Sequence, residues 1–109
     1  MNLNRFLPLS ETTYYILLSL LSPNHGYAIM QNVENLSEGK VRIAAGTLYG
    51  ALENLLKQKI IAQVGSLDTR RKVYTLTPAG KEVLQMEYQR LTHLVSISRQ
   101  LFNQEEMSI

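Results

Sequence analysis

Apolar residues recur at helical spacing in four stretches of this chain, separated by short segments of proline, glycine and small polar residues. The first begins at Ser10, a good helix cap with Glu11 in the first turn. It repeats Tyr14, Leu17, Leu18 and Leu21 at i, i+3, i+4 and i+7. Ser22-Pro23-Asn24 ends it, because proline disfavours a helical residue before it and has no N–H to give the turn above. A second helix is predicted over about 25–36, with Ile29, Met30, Val33 and Leu36 along one side, and Ser37-Glu38-Gly39 stops it. Lys40, Val41, Arg42 and Ile43 alternate polar and apolar, which fits a very short strand. The third helix, over about 45–59, points Leu48, Leu52, Leu55 and Leu56 inward and Thr47, Ala51, Asn54 and Gln58 outward.

A hairpin follows. The runs 60–64 and 72–77 are β-prone, Gly65-Ser66-Leu67-Asp68-Thr69 joins them, and Arg70-Arg71-Lys72 stands where the return strand begins. Thr77 caps a last helix that Pro78 opens and that reaches about residue 104. Such a helix extends ~40 Å at ~1.5 Å per residue, longer than a domain of this size can cover by itself. Its stripe runs Leu84, Tyr88, Leu91, Val95 and Phe102, with Ser98 at the intervening seam position and Leu94 and Leu101 widening it. That is close to a coiled-coil seam, which predicts a dimer; the other possibility is that the helix folds back on its own domain. Leu3, Phe6, Leu7 and Leu9 have no obvious home within one subunit and are expected against the partner's last helix.

The order of elements defines the fold class. It is mainly α with a small β-wing: a winged helix-turn-helix over 1–77, including an N-terminal extension 1–9, and a long C-terminal dimerisation helix over 78–109.

Composition narrows the function. The chain has 109 residues, one domain's worth, and no cysteine, which removes disulfides, thiolate metal sites and thiol catalysis. Its longest apolar run, 14–21, is about half a bilayer span, and no secretion signal is visible, so a cytoplasmic protein without a membrane partner is expected. The net charge is only +2, but its distribution is uneven. Eight basic residues (Lys40, Arg42, Lys57, Lys59, Arg70, Arg71, Lys72, Lys81) stand against three acidic ones (Glu38, Glu53, Asp68) in the middle of the chain. The remainder is net acidic. A polyanion would therefore meet the middle segment, where cations can displace counterions from a phosphate backbone. His25 and His93 are far apart with no paired carboxylate, so no metal or cofactor is expected. No Ser-His-Asp set or Gly-rich phosphate loop marks an enzyme.

Several separated motifs carry a resemblance. They are Tyr15-Ile16-Leu17, His25-Gly26-Tyr27, Gly46-Thr47-Leu48-Tyr49, Arg70-Arg71-Lys72-Val73-Tyr74, Leu76-Thr77 and Gly80. In this order and spacing the chain resembles the PadR family of bacterial transcriptional regulators, in the short form with a single C-terminal helix. The resemblance implies a homodimeric repressor whose third helix enters the major groove, whose wing follows the backbone, and whose dimer helices surround a site for a small hydrophobic or aromatic effector. Two heads on a two-fold axis imply a palindromic operator in double-stranded DNA. A winged-helix protein-interaction module that has lost DNA binding is the competing reading, and such modules often replace the wing cations that are intact in this chain. The sequence departs from the family at Gly50, where proline is common, at Ala44, where a polar cap is usual, and at Lys59, where glycine is usual.

Candidate DNA contacts follow residue by residue. Thr47 reaches a base edge or phosphate, or merely caps its helix, and Gly46 lets backbone approach closely. Tyr49 either edges the core or gives its hydroxyl to a phosphate. Tyr27, with the free amides that open the second helix, suits a phosphate clamp, or else it closes the top of the core. Arg70, Arg71 and Lys72 suit backbone tracking, with Arg71 opposite Tyr74 and freest to reach out; Lys40 and Arg42 add phosphate contacts. The dimer interface is assigned to Phe6, Leu84, Tyr88, Leu91, Leu94, Val95, Leu101 and Phe102.

Overall fold

A computed structural model of the chain describes residues 2–65 and 71–105. A 3₁₀ turn, Leu3–Phe6, leads into α1 (Glu11–Ser19), β1 (Asn24–His25), α2 (Gly26–Leu36), α3 (Ala45–Lys57), β2 (Ile61–Val64), β3 (Val73–Leu76) and α4 (Pro78–Gln104). The strands form one antiparallel sheet in the order β1-β3-β2. Ile61 faces Leu76 and Val64 faces Val73 in the hairpin, while Asn24 and His25 pair with Tyr74 and Val73. This is the winged helix-turn-helix expected from the order of elements, with a long terminal helix in a body of 57 × 35 × 20 Å.

The caps act as the sequence requires. The Ser10 hydroxyl accepts from the Thr13 N–H, and the Thr77 hydroxyl accepts from the Gly80 N–H at 3.0 Å. Ile16 and Leu17 of α1, Leu20 just beyond its end, Ile29 and Val33 of α2, Leu48 and Leu52 of α3, and Val83 of α4 meet in one core closed by Ile60 and Ile61. Gly80 is essential to that closure: a Cβ there would stand 2.0 Å from the Ile60 carbonyl oxygen. The Thr77 N–H donates to the same carbonyl, so the start of α4 is tied directly to the segment leaving α3.

Four expectations need correcting. Residues 40–43 form no strand. The Ser37 hydroxyl accepts from the Val41 N–H at 2.9 Å and donates to the Val41 carbonyl, occupying the backbone a ladder would need. The strand beside β3 is instead Asn24–His25. Leu21 and Leu36 are exposed rather than inward, because α1 ends two residues before Leu21 and Leu36 is the last residue of α2. The N-terminal residues have a home within their own subunit: Leu3 is buried, and Phe6, Leu7 and Leu9 pack against the same core, with the 3₁₀ turn lying on α4. Leu84, expected at the interface between subunits, is buried in this core as well.

Glu87 holds the N-terminal segment in place. Its carboxylate is 1% exposed and accepts from the Leu9 N–H at 2.7 Å and from the Arg90 guanidinium. The hydrogen bond from Arg90 holds Glu87 below the usual carboxylate range, aided by the Leu9 N–H and opposed by burial.

Candidate nucleic-acid interface

A cleft of about 440 Å³ opens where α2, α3 and the wing meet, lined by His25, Gly26, Tyr27, Tyr49, Arg71, Lys72 and Tyr74. Each element delivers its side chain for a local reason. Beyond the end of α1 at Ser19 the chain turns so that Asn24–His25 runs antiparallel to β3, which brings His25 beside the wing. His25 then caps α2, its Nδ1 accepting from the Ala28 N–H at 3.4 Å. Gly26 and Tyr27, the first two residues of α2, line the cleft, and helix N-termini favour anions.

Tyr49 forms one wall of the cleft. A Cβ on Gly26 would stand 2.3 Å from the Tyr49 hydroxyl, so the absence of a side chain at Gly26 makes room for that ring. The Tyr49 side chain is nevertheless exposed at 48%. Burial, and then the neighbouring Tyr49, push the Tyr74 phenol above its ordinary value. Tyr27 is more exposed still, at 64%, and its hydroxyl accepts from the Gln31 side chain. It is therefore not a lid on the core. The Arg71 guanidinium lies 3.4 Å from His25 Nε2, and Lys72 is exposed next to it.

The other expected residues lie around the cleft rather than in it. Gly46 and Thr47 are exposed at the start of α3, where Ala44 gives no side-chain cap. Lys40 and Arg42 are exposed on the segment leading into α3, with Arg42 paired to Glu34 at 2.9 Å. Arg70 lies outside the described residues. His25 and Tyr74 were not expected as cleft residues. The two-residue strand that brings His25 to the wing is too short to leave a periodic signal, and Tyr74 was placed only on the strand face opposite Arg71.

The last helix presents a second surface. Tyr88, Leu94, Val95, Leu101 and Phe102 are all exposed, as is Ile97, while Leu91 is half-buried. Tyr88, Leu91, Thr92, Val95, Ser96 and Arg99 line a shallow groove of about 450 Å³ along it. Phe6, assigned to the same interface, instead packs on its own core. Among the described residues no group of His, Asp and Glu side chains is placed to hold a metal ion, and no helix is long and apolar enough to cross a membrane.

The family model for PadR-like transcriptional regulators matches residues 9–86, from the start of α1 through the wing to the first turns of α4. The chain belongs to that family. Solved PadR-family structures share its fold. The PadR family regulator of Clostridium difficile R20291 superposes with a TM-score of 0.70 at 22% identity, over 85% of this chain and 99% of that one. The PadR-like regulator of Bacillus cereus strain ATCC 14579 gives 0.69 at 19% identity, over 90% and 96%. That of Eggerthella lenta DSM 2243 gives 0.66 at 26% identity, over 84% and 81%. Among curated sequences, an uncharacterized 37.1 kDa protein in transposon TN4556 of Streptomyces fradiae is 36% identical over 72 residues. The match covers 66% of this chain, which spans about a fifth of that relative's length (20%). Within the PadR fold, Lys59 takes a left-handed backbone (φ 62°), which is the physical reason glycine suits that position.

Proposed function

We propose that this PadR-family chain is a homodimeric DNA-binding regulator, a repressor that a small hydrophobic or aromatic effector releases. The observation that carries the reading is the convergence of Tyr27, Tyr49, Arg71 and Lys72 on one cleft beside the exposed start of α3. Hydroxyls, cations and helix amides at one end of the body suit a phosphate backbone, and the adjoining Gly46 and Thr47 suit the groove beside it. Lys40 and Arg42 flank α3 and extend the cationic surface.

The division into a DNA-binding unit over 1–77 and a dimerisation helix over 78–109 belongs to the same proposal. Val83, Leu84 and Glu87 are buried in the body, so the first turns of α4 belong mechanically to the head and the free arm begins near Tyr88. The apolar residues beyond that point support pairing with a second copy, since a monomer rarely leaves so continuous a stripe in water. An effector acts by binding one arrangement of the paired helices better than another, which alters the separation of the heads.

The test is a fluorescence-anisotropy titration against the DNA upstream of the chain's own gene, with a scrambled duplex as control, at several salt concentrations. Tighter binding to the upstream duplex, weakening linearly with log salt, is expected. Indifference to both duplexes at low salt would overturn the proposal. A thermal-shift screen of aromatic acids and lipophilic cations addresses the effector.

A further inference from the structure

We propose that His25 is itself a backbone-binding residue: its cap on α2 fixes the ring N–H at Nε2, and that N–H and the Arg71 guanidinium together hold one phosphodiester oxygen. The inference rests on the DNA-binding reading above. His25 is half-buried in β1, opposite Val73, and lines the cleft between the start of α2 and the wing. Two donors compete for its acceptor nitrogen. The Ala28 N–H stands 3.4 Å from Nδ1, and the Arg71 guanidinium stands 3.4 Å from Nε2. A ring with one proton accepts at one nitrogen only.

The two donors are unequal. The Ala28 N–H lies in the first turn of α2, where no carbonyl of the helix reaches it, and the bond it makes to the ring is part-buried. A buried donor left without an acceptor carries its full desolvation penalty. Arg71 is exposed, and its five N–H donors can turn to water. Nδ1 therefore accepts from Ala28, and the ring proton is at Nε2. That leaves one donor facing another across 3.4 Å. Among the described residues no carboxylate lines the cleft, and a phosphodiester oxygen supplies the acceptor that both donors require. Two donors at this separation can share a single oxygen about 2.9 Å from each. Both bonds to it are charge-assisted, the one from Arg71 on either side.

The experiment measures anisotropy of a fluorescein-labelled duplex of random sequence over a salt series, together with the Tm of each variant without DNA. Asparagine places a capping oxygen where Nδ1 stands but has no group that reaches the place of Nε2. Glutamine carries an N–H out to that place and gives up the cap. His25→Asn is accordingly expected to keep the wild-type Tm and to weaken binding roughly tenfold, the worth of one charge-assisted hydrogen bond. His25→Gln is expected to lower Tm and to retain most of the affinity. A residue that only caps α2 gives the reverse order, with the asparagine variant binding as wild type, and that result would overturn the proposal. A ring with a single proton brings no charge, so the slope of log affinity against log salt is expected to stay unchanged in His25→Asn. A slope lowered by about one would put a charged ring on the phosphate and overturn the assignment of the proton. In an Arg71→Ala background His25→Asn is expected to cost less than in the wild type, because residues that share a partner are coupled; an equal cost would overturn the shared oxygen. Absence of binding to any duplex at low salt would overturn the DNA-binding reading and this inference with it.

Discussion

Glu87 is the one fully buried carboxylate among the described residues, and its environment explains how so short a chain holds its N-terminal segment. An ionised carboxylate out of water is costly unless hydrogen-bonded, and here both oxygens are used, by the Leu9 N–H and by Arg90. Arg90 first, then the Leu9 N–H, hold the group below its ordinary value against the effect of burial. A lowered carboxyl pKa stabilises the fold fully above the unfolded value and loses that contribution as pH falls through the folded one. Stability is therefore expected to decline below about pH 4.5, as Glu87 protonates and the N-terminal segment loosens. Urea melts over a pH series check this. Glu87→Gln is expected to cost about 1–3 kcal/mol at neutral pH and to flatten the acid limb, and a mutant with the wild-type acid slope would assign that limb to another group.

At the level of elements, α3 carries two of the family departures, and each has a structural consequence. Ala44 leaves the helix without a side-chain cap, and Gly50 lies in its interior with nothing within 4 Å of where a Cβ would be. Gly50→Ala is accordingly expected to raise stability by roughly 1 kcal/mol, or about 4–8 °C in Tm, in thermal denaturation without DNA. A lower Tm would mean that α3 needs a flexible position there. The helices, the hairpin and the caps Ser10 and Thr77 were legible in the sequence because each rests on a local signal: periodicity, alternation, or a cap before proline. What was not legible depends on distant partners. Nothing local says that Ser37 takes the backbone of Val41, or that Asn24–His25 pairs with β3 some fifty residues on. The same holds for Leu3 and Phe6, whose apolar character was plain but whose burial needs Glu87 to receive the Leu9 N–H. The site was legible in its residue types and not in its assembly. Tyr27, Tyr49, Arg71 and Lys72 share a cleft only because Gly26 admits the Tyr49 ring and β1 draws the start of α2 to the wing.

The whole molecule is a head with a long helical arm, and its proposed action depends on how two such units are spaced. If α4 is the seam, a charge in its exposed middle should separate the subunits without unfolding the head. Val95→Asp is expected to give monomers in light scattering with an unchanged helical signal, because Val95 is 54% exposed in the single chain and contributes little to its core. A mutant that remains dimeric would move the interface elsewhere. The wing contributes to the same assembly through long-range charge. Arg71→Ala is expected to weaken binding to specific and random duplexes alike and to reduce the slope of log affinity against log salt by about one per protomer. An unchanged slope would remove Arg71 from the backbone contacts. The strictest test is geometric. Two heads fixed by one seam address half-sites about 34–36 Å apart on one side of the duplex, close to one helical turn. Inserting about five base pairs between the half-sites rotates one of them by roughly half a turn to the far side. Specific affinity should then fall towards that of a random duplex, whereas inserting about ten base pairs restores the facing but lengthens the span by a full turn. A rigid α4 seam predicts loss in both cases, while recovery with the longer insertion would mean that the arms bend and that the heads are not held at one separation.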